Sequence, residues 1–199
     1  MKSLVLASSN PGKRSEIERL LAPFGTRVVT QDELGLTEAE EPHDSFRENA
    51  LAKARHACIA TRLPALADDS GLCVDALGGA PGVHSAYYAG REGSRAERDA
   101  RNNEKLLSEL KDQSSRSAHY VCAMVLMRGP GDAAPLVAEA EWHGEIARAP
   151  RGAGGFGYDP YFYLPELGKT AAELAPEDKN RLSHRGQAMR KLLALLKAP

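Results

Sequence analysis

Cysteine is scarce here, with three in 199 residues, and tryptophan occurs once. Cys58, Cys73 and Cys122 are odd in number and far apart, and no two form a C-x-x-C pair. That excludes the disulfide framework of small secreted domains and a zinc-thiolate site of the usual spacing. Each cysteine sits among apolar neighbours, which reads as a reduced, mostly buried thiol in a cytoplasmic protein. Charge bias is missing too: 26 Lys and Arg face 27 Asp and Glu, a net charge of −1. Nothing general therefore points to a nucleic acid polymer or a membrane surface, and any anion site must be local. No apolar run nears the roughly 20 residues of a membrane-spanning helix. The N-terminal stretch has no apolar h-region, so no signal peptide is expected. Internal repeats and low-complexity tails are absent as well.

What is present suits one domain over residues 1–199, or one domain with a small lobe. An apolar share of 42% is enough for a core. Strand-like runs lie at Ser3–Ala7, Arg27–Thr30, Ala65–Ala67, Leu72–Asp75, Ala118–Met127 and Leu136–Ile146. The last two flank a Gly/Pro-rich stretch, 128–135, that reads as the loop of an antiparallel hairpin. Helix-like runs lie at Arg14–Leu21, Ser45–Thr61, Arg95–Leu110 and Gln187–Lys197. In the second, Phe46, Ala50, Leu51, Ala54, Ala57 and Cys58 recur at helical spacing. Asp44 or Ser45 can cap it, with Glu48 as a capping-box partner of Ser45. Early alternation of helix and strand, followed by long hairpin strands, predicts an α/β fold with a mixed sheet and helices around it.

The first strand run ends in Ser8-Ser9-Asn10-Pro11-Gly12-Lys13. A P-loop reads G-x-x-x-x-G-K-[ST]. The frame here lacks the first glycine, and Arg14 replaces the final Ser/Thr that would hold magnesium, so the motif is not a P-loop. Its physics survives. The first turn of a helix leaves unpaired N–H groups and a partial positive charge, and Lys13 adds a full one. Ser8, Ser9 and Asn10 can donate to phosphate oxygens or cap the helix. A capped helix with a surface lysine fits the same residues.

Leu66-Ala67-Asp68-Asp69-Ser70-Gly71 places two carboxylates at the end of a short apolar run. Adjacent acids repel and are awkward to bury, and a divalent cation relieves that repulsion. Asp, Ser and Gly also form turns, but a turn does not need two acids directly after a buried strand. Glu38, Glu40 and Glu41 form a second acidic group. They are a solvated loop unless the fold brings them near Asp69. Gly154-Gly155-Phe156-Gly157-Tyr158-Asp159-Pro160-Tyr161-Phe162 mixes glycine, which permits close backbone approach to a ligand, with flat rings that can stack on a base. Asp159 can accept hydrogen bonds from a ring or sugar. A strand-end turn with core aromatics is the alternative. Lys179, His184 and Arg185 can meet an anion or a purine edge, or open a helix capped by Ser183.

Together these segments closely resemble the non-canonical purine NTP pyrophosphatase family, the inosine/xanthosine triphosphate pyrophosphatases. The resemblance rests on LASSNPGKRSE, SFRENALAKA, LADDSGLCVDALGGAPGVHSA, GGFGYDPYF and LSHRGQA, in family order up to residue 188. It implies an elongated, two-lobed α/β fold with a long mixed central sheet flanked by helices and an active cleft between the lobes. It implies a Mg²⁺-dependent enzyme, usually a homodimer, that cleaves ITP, dITP and XTP to the monophosphate and pyrophosphate, clearing deaminated purines from the nucleotide pool. By that resemblance Ser8, Ser9, Asn10, Pro11, Gly12 and Lys13 hold the triphosphate, with Lys13 as a charge clamp. Asp69 is the general base and a metal ligand, with Asp68 as its close partner. Glu41 is the second carboxylate at the metal, and Glu40 is the register alternative. Ser70 touches substrate and Lys53 points at phosphate. Phe156, Gly157, Tyr158 and Asp159 stack on and read the base. Lys179, His184 and Arg185 read the purine edge, including its 6-oxo group. One departure stands out: the family often has Gly where Ser9 stands. If that position needs φ > 0, Ser9 is strained there and the loop sits differently.

Overall fold

In the computed structural model, which describes residues 3–197, the apolar run after Ser3 is a strand buried on both faces. This strand, β1 (Ser3–Leu6), sends successive side chains to opposite sides. Leu4 and Leu6 pack with Ile17, Leu21, Met124 and Met189. Val5 and Ala7 pack with Ala50, Ala54, Ala57 and Val125. Burial on both faces is why the run reads as continuous and not alternating. β1 pairs in parallel with β2 (Arg27–Thr30) and with β3 (Ala65–Val74). β4 (Ser117–Met127) and β5 (Leu136–Ile146) follow. Two short strands, β6 (Phe162–Leu164) and β7 (Lys169–Thr170), complete a seven-stranded sheet in the order β2-β1-β3-β4-β5-β6-β7. β6 is antiparallel to both β5 and β7, so the sheet is mixed, as the sequence predicts.

The helices are α1 (Pro11–Leu21), α2 (Phe46–Thr61), α3 (Arg95–Glu109), α4 (Pro176–Leu182) and α5 (His184–Lys197). Ser45 caps α2 by accepting the Glu48 N–H at 3.4 Å. A complete reciprocal capping box forms on α3, between Ser94 and Glu97.

The chain divides into two compact units. Within the described residues, the first runs up to Asp69 and adds Cys122–Ala140 and the segment from His184 onward. The second is Ser70–Val121 and Glu141–Ser183. β1, β2, α1, α2 and α5 lie in the first unit, and α3, β6, β7 and α4 in the second. The second has its own core, in which Leu72, Leu106, Leu110, Tyr120, Trp142 and Phe162 pack together.

Several expectations need correction. The runs Ala65–Ala67 and Leu72–Asp75 are not two strands but parts of one ten-residue strand, which ends at Val74. The acidic pair therefore lies inside β3, not in a turn after it. β6, β7 and α4 were not expected, since they are too short to show a period. α1 starts at Pro11 and not Arg14, because Asn10 and Pro11 supply the cap and the first turn. α5 starts at His184 and not Gln187.

Candidate active site

Alternation along β3 decides what the two aspartates do. Leu66 shares its face with Leu4, Ile17 and Met189, the side of α1 and α5, and Asp68 lies on that face. Ala65 and Ala67 share theirs with Ala50 and Ala54 of α2, and Asp69 lies there.

Asp68 is completely buried. Lys13 Nζ, from the first turn of α1, lies 3.2 Å from its Oδ2. Arg185 of α5 donates Nε and Nη2 to the same oxygen, each at 3.2 Å. The Nη1 of Arg185 donates to Glu16 of α1. Burial alone would push the Asp68 carboxyl up, but Lys13, Arg185 and Lys53 overcome it and hold it well below the usual carboxylate range.

Asp69 meets α2. Asn49 Nδ2 donates to its Oδ2 at 3.3 Å, and Lys53 Nζ, one turn on, donates to Oδ1 at 3.2 Å. Lys53 also lies 2.5 Å from Glu41 Oε1, so Glu41, not Glu40, is brought beside Asp69. Asn49 fastens the segment carrying Glu41. It accepts the His43 N–H at 3.0 Å and donates to the His43 carbonyl at 2.9 Å. Burial pushes the Asp69 carboxyl up, and Lys53 and Lys13 oppose it only in part. For Lys53, burial works against the charge, but Asp69, Glu41 and Asp68 prevail and hold its ammonium above the usual range. Two neighbouring carboxyls are thus driven in opposite directions, the usual mark of divided acid–base roles.

The first loop sits in the same unit. Asn10 caps α1, with its Oδ1 accepting the Gly12 and Lys13 N–H groups at 3.0 and 3.1 Å. Ser8 Oγ accepts the Asn10 N–H at 3.3 Å, and Ser9 Oγ donates to Glu38. Among the described residues, Arg62 is the only non-glycine with positive φ. Ser9 therefore carries none of the strain considered for it.

The second unit holds the glycine-aromatic loop. Gly155 has φ +72°, and a Cβ there would overlap the Asp159 carboxylate. Asp159 is buried and braces the loop: its Oδ2 accepts the Phe156 N–H at 2.8 Å and pairs with Lys179 Nζ at 2.5 Å. Tyr120 donates to its Oδ1 at 3.4 Å. Lys179 Nζ also lies 4.8 Å from the Phe156 ring centroid. Tyr158 is buried and donates to the Ser85 carbonyl at 2.8 Å. Of the four residues expected to meet a base, Phe156 and Gly157 are therefore the more accessible, and Tyr158 and Asp159 form the brace behind them. Ser70 follows the acidic pair on β3 and is half-buried. His184 and Arg185 are 4% and 2% exposed, and Arg185 is engaged by Asp68 and Glu16.

Glu16 and Asn49 were not singled out from the sequence. The signal available was a polar side chain on the buried side of an amphipathic helix, as with Asn49 and Lys53 one turn apart beside the alanines of α2.

A mixed α/β sheet that gathers split carboxylates, Lys53 and a helix N-terminus bearing Lys13 in one unit defines a protein of the phosphate-handling class. The family model described as "Ham1 family" matches residues 4–195. A dITP/XTP pyrophosphatase from Nitrosomonas europaea is 60% identical over 196 residues, 98% of this chain and 95% of that one. A protein of the same name from Ralstonia nicotianae is 57% identical, over 99% and 98%. A solved HAM1 protein from Coxiella burnetii matches with a TM-score of 0.88 at 47% identity, covering 100% of both chains. The chain belongs to the Ham1 family.

Proposed function

We propose that this protein is a nucleoside triphosphate pyrophosphatase that hydrolyses ITP, dITP and XTP between the α- and β-phosphates. The products are the monophosphate and pyrophosphate. The relatives bear the name dITP/XTP pyrophosphatase. The observation that carries the reading in this chain is the placement of Asp68 and Asp69 on opposite faces of β3, Asp68 against Lys13 and Arg185 and Asp69 against Lys53 beside Glu41.

Mg²⁺ fits the donor set. Glu41 and Asp69 offer hard oxygen ligands and already share one cation, the Lys53 ammonium. No group of three or more His, Cys, Asp and Glu that could hold a metal gathers among the described residues. A two-carboxylate site suits Mg²⁺, which binds through one or two carboxylates plus substrate phosphates and keeps several waters. Asp69 and Glu41 would hold it, and when bound it supplies charge neutralisation at the phosphate oxygens.

The chain's own groups do the rest. Asp69 accepts the proton of the attacking water at its carboxylate. Asp68 remains ionised and holds Lys13 at the head of α1, where ammonium and helix N-terminus together offset phosphate charge. Ser8 to Lys13 line that anion site, Ser70 contacts the substrate, and Lys53 balances the charge of the carboxylates and the phosphates. No covalent nucleophile is needed. Cys122 is buried, and burial pushes its thiol up to about 12, which keeps it protonated.

Phe156 stacks on the base. Hydrogen-bond donors at the purine edge accept a 6-oxo group and are left unpaired against the 6-amino group of adenine, which is costly. Lys179, with its Nζ 4.8 Å from the Phe156 ring centroid, supplies one such donor. His184 and Arg185 open α5 in the first unit, and Arg185 is engaged there by Asp68 and Glu16. The same reading carries a homodimer and a cytoplasmic setting. Among the described residues no helix is long and apolar enough to cross a membrane.

The test is a panel of ITP, dITP, XTP, GTP and ATP assayed for pyrophosphate, with and without Mg²⁺. The expected result is Mg²⁺-dependent pyrophosphate release confined largely to the first three. Equal turnover of ATP and ITP would overturn the selectivity argument.

A further inference from the structure

Helix α3 carries a polar stripe that the reading above leaves unused. Arg95, Asp99 and Asn103 stand at successive turns, four residues apart, and so share one face. Two of them grip a single residue of the glycine-aromatic loop. Asp99 Oδ2 accepts the Gly157 N–H at 3.2 Å. Asn103 Nδ2 donates to the Gly157 carbonyl at 3.0 Å and to the Asp99 carbonyl at 2.8 Å. The third, Arg95, places Nε 3.8 Å from Asp99 Oδ2 and its guanidinium carbon 5.3 Å from the Phe156 ring centroid.

This grip falls on a residue with wide backbone freedom. Gly157 has φ +63°, a conformation glycine enters freely and leaves as freely. Its N–H belongs to the peptide joining it to Phe156, and its carbonyl to the peptide joining it to Tyr158. Fixing both groups fixes both planes. On the other side of the ring, the Phe156 N–H is held by Asp159. Phe156 is thereby clamped from either end, while its own side chain stays partly exposed.

We propose that Asp99 and Asn103 are positioning residues of the base site. By gripping Gly157 they fix the Phe156 ring in the orientation on which a purine stacks, and so set affinity for the base without touching it. The proposal rests on the reading that the Phe156 loop takes the base. It does not involve the phosphate or metal groups. Loss of the clamp therefore weakens binding of the nucleoside part and spares binding of the phosphate chain.

The experiment compares wild type with Asp99→Ala, Asn103→Ala, Asp99→Asn, Asn103→Asp and Phe156→Ala. It measures kcat and KM for ITP, and Ki for inorganic tripolyphosphate, which has the phosphate chain and no base. Asp99→Ala and Asn103→Ala should each raise KM for ITP about tenfold, the effect of one lost hydrogen bond. Their kcat should stay within about twofold and their tripolyphosphate Ki should not change. Asp99→Asn keeps an acceptor oxygen and should restore most of the affinity. Asn103→Asp keeps the shape, removes the donor and should behave like Asn103→Ala, which covers the case of an alanine variant that does not fold. If Phe156→Ala raises KM and the clamp variants do not, the clamp is refuted and the base-loop reading stands. If Phe156→Ala leaves KM unchanged, the base-loop reading falls and the clamp with it. A parallel rise of KM and tripolyphosphate Ki would reduce Asp99 and Asn103 to general structural residues and overturn the proposal.

Discussion

Asp68 and Asp69 differ by one position and by everything around them. β-strand alternation gives Asp68 to Lys13 and Arg185, and Asp69 to Asn49 and Lys53. Asp69→Asn should keep the fold and nucleotide binding while lowering kcat by about 10²–10⁴-fold, the range for loss of a general base. Calorimetric titration with ITP beside a pyrophosphate assay separates the two effects, and a variant that retains wild-type turnover would rule out Asp69 as the base. Asp68→Asn should act on stability. It leaves Arg185 buried with only part of its counter-charge, and breaking a buried pair costs about 3–5 kcal/mol. The pH dependence follows from the sign of the shift. The folded pKa of Asp68 lies below its unfolded value of about 3.9. Its ionisation therefore adds stability that is fully present above about pH 5 and is lost as pH falls toward the folded pKa. The raised carboxyl of Asp69 has the opposite sign and costs stability once ionised. Urea denaturation should show the gap between wild type and Asp68→Asn narrowing from about pH 5 to about pH 2. A constant gap would contradict the assignment.

Elements carry two further predictions. Asn10 ends β1's loop and starts α1 by accepting two N–H groups. Asn10→Ala should cost about 1 kcal/mol of unfolding free energy, and an unchanged denaturation midpoint would show that the cap contributes nothing. Gly144 in β5 has no room for a side chain: a Cβ would lie 2.5 Å from the Tyr163 carbonyl and 2.8 Å from Cζ of Phe162. Gly144→Ala should destabilise by about 1–3 kcal/mol through overpacking, measured in the same way. Much of this level was legible beforehand. β2 and β5 have the bounds that their apolar runs predict, and α2 and α3 differ from prediction by a single terminal residue. β3 was not legible as one strand, because Asp-Asp-Ser-Gly reads as a turn until cations on both faces are known. β6 and β7 were not legible because three and two residues show no periodicity.

Across the whole chain, the local motifs were visible in sequence and their grouping was not. Lys13, Glu41, Lys53 and Asp69 come from four separate segments, and the fold gathers them in one unit. Asn49, Glu16, Asp99 and Asn103 escaped notice because a buried polar side chain gains its meaning only from the partner it faces. The central claim is that this assembly opens the α–β bond of a deaminated purine triphosphate. The direct measurement is product analysis of ITP incubated with the protein and Mg²⁺, resolved by anion-exchange chromatography. The account predicts IMP and pyrophosphate in equal amounts from the earliest time point, with no IDP. Stepwise appearance of IDP and inorganic phosphate would contradict it.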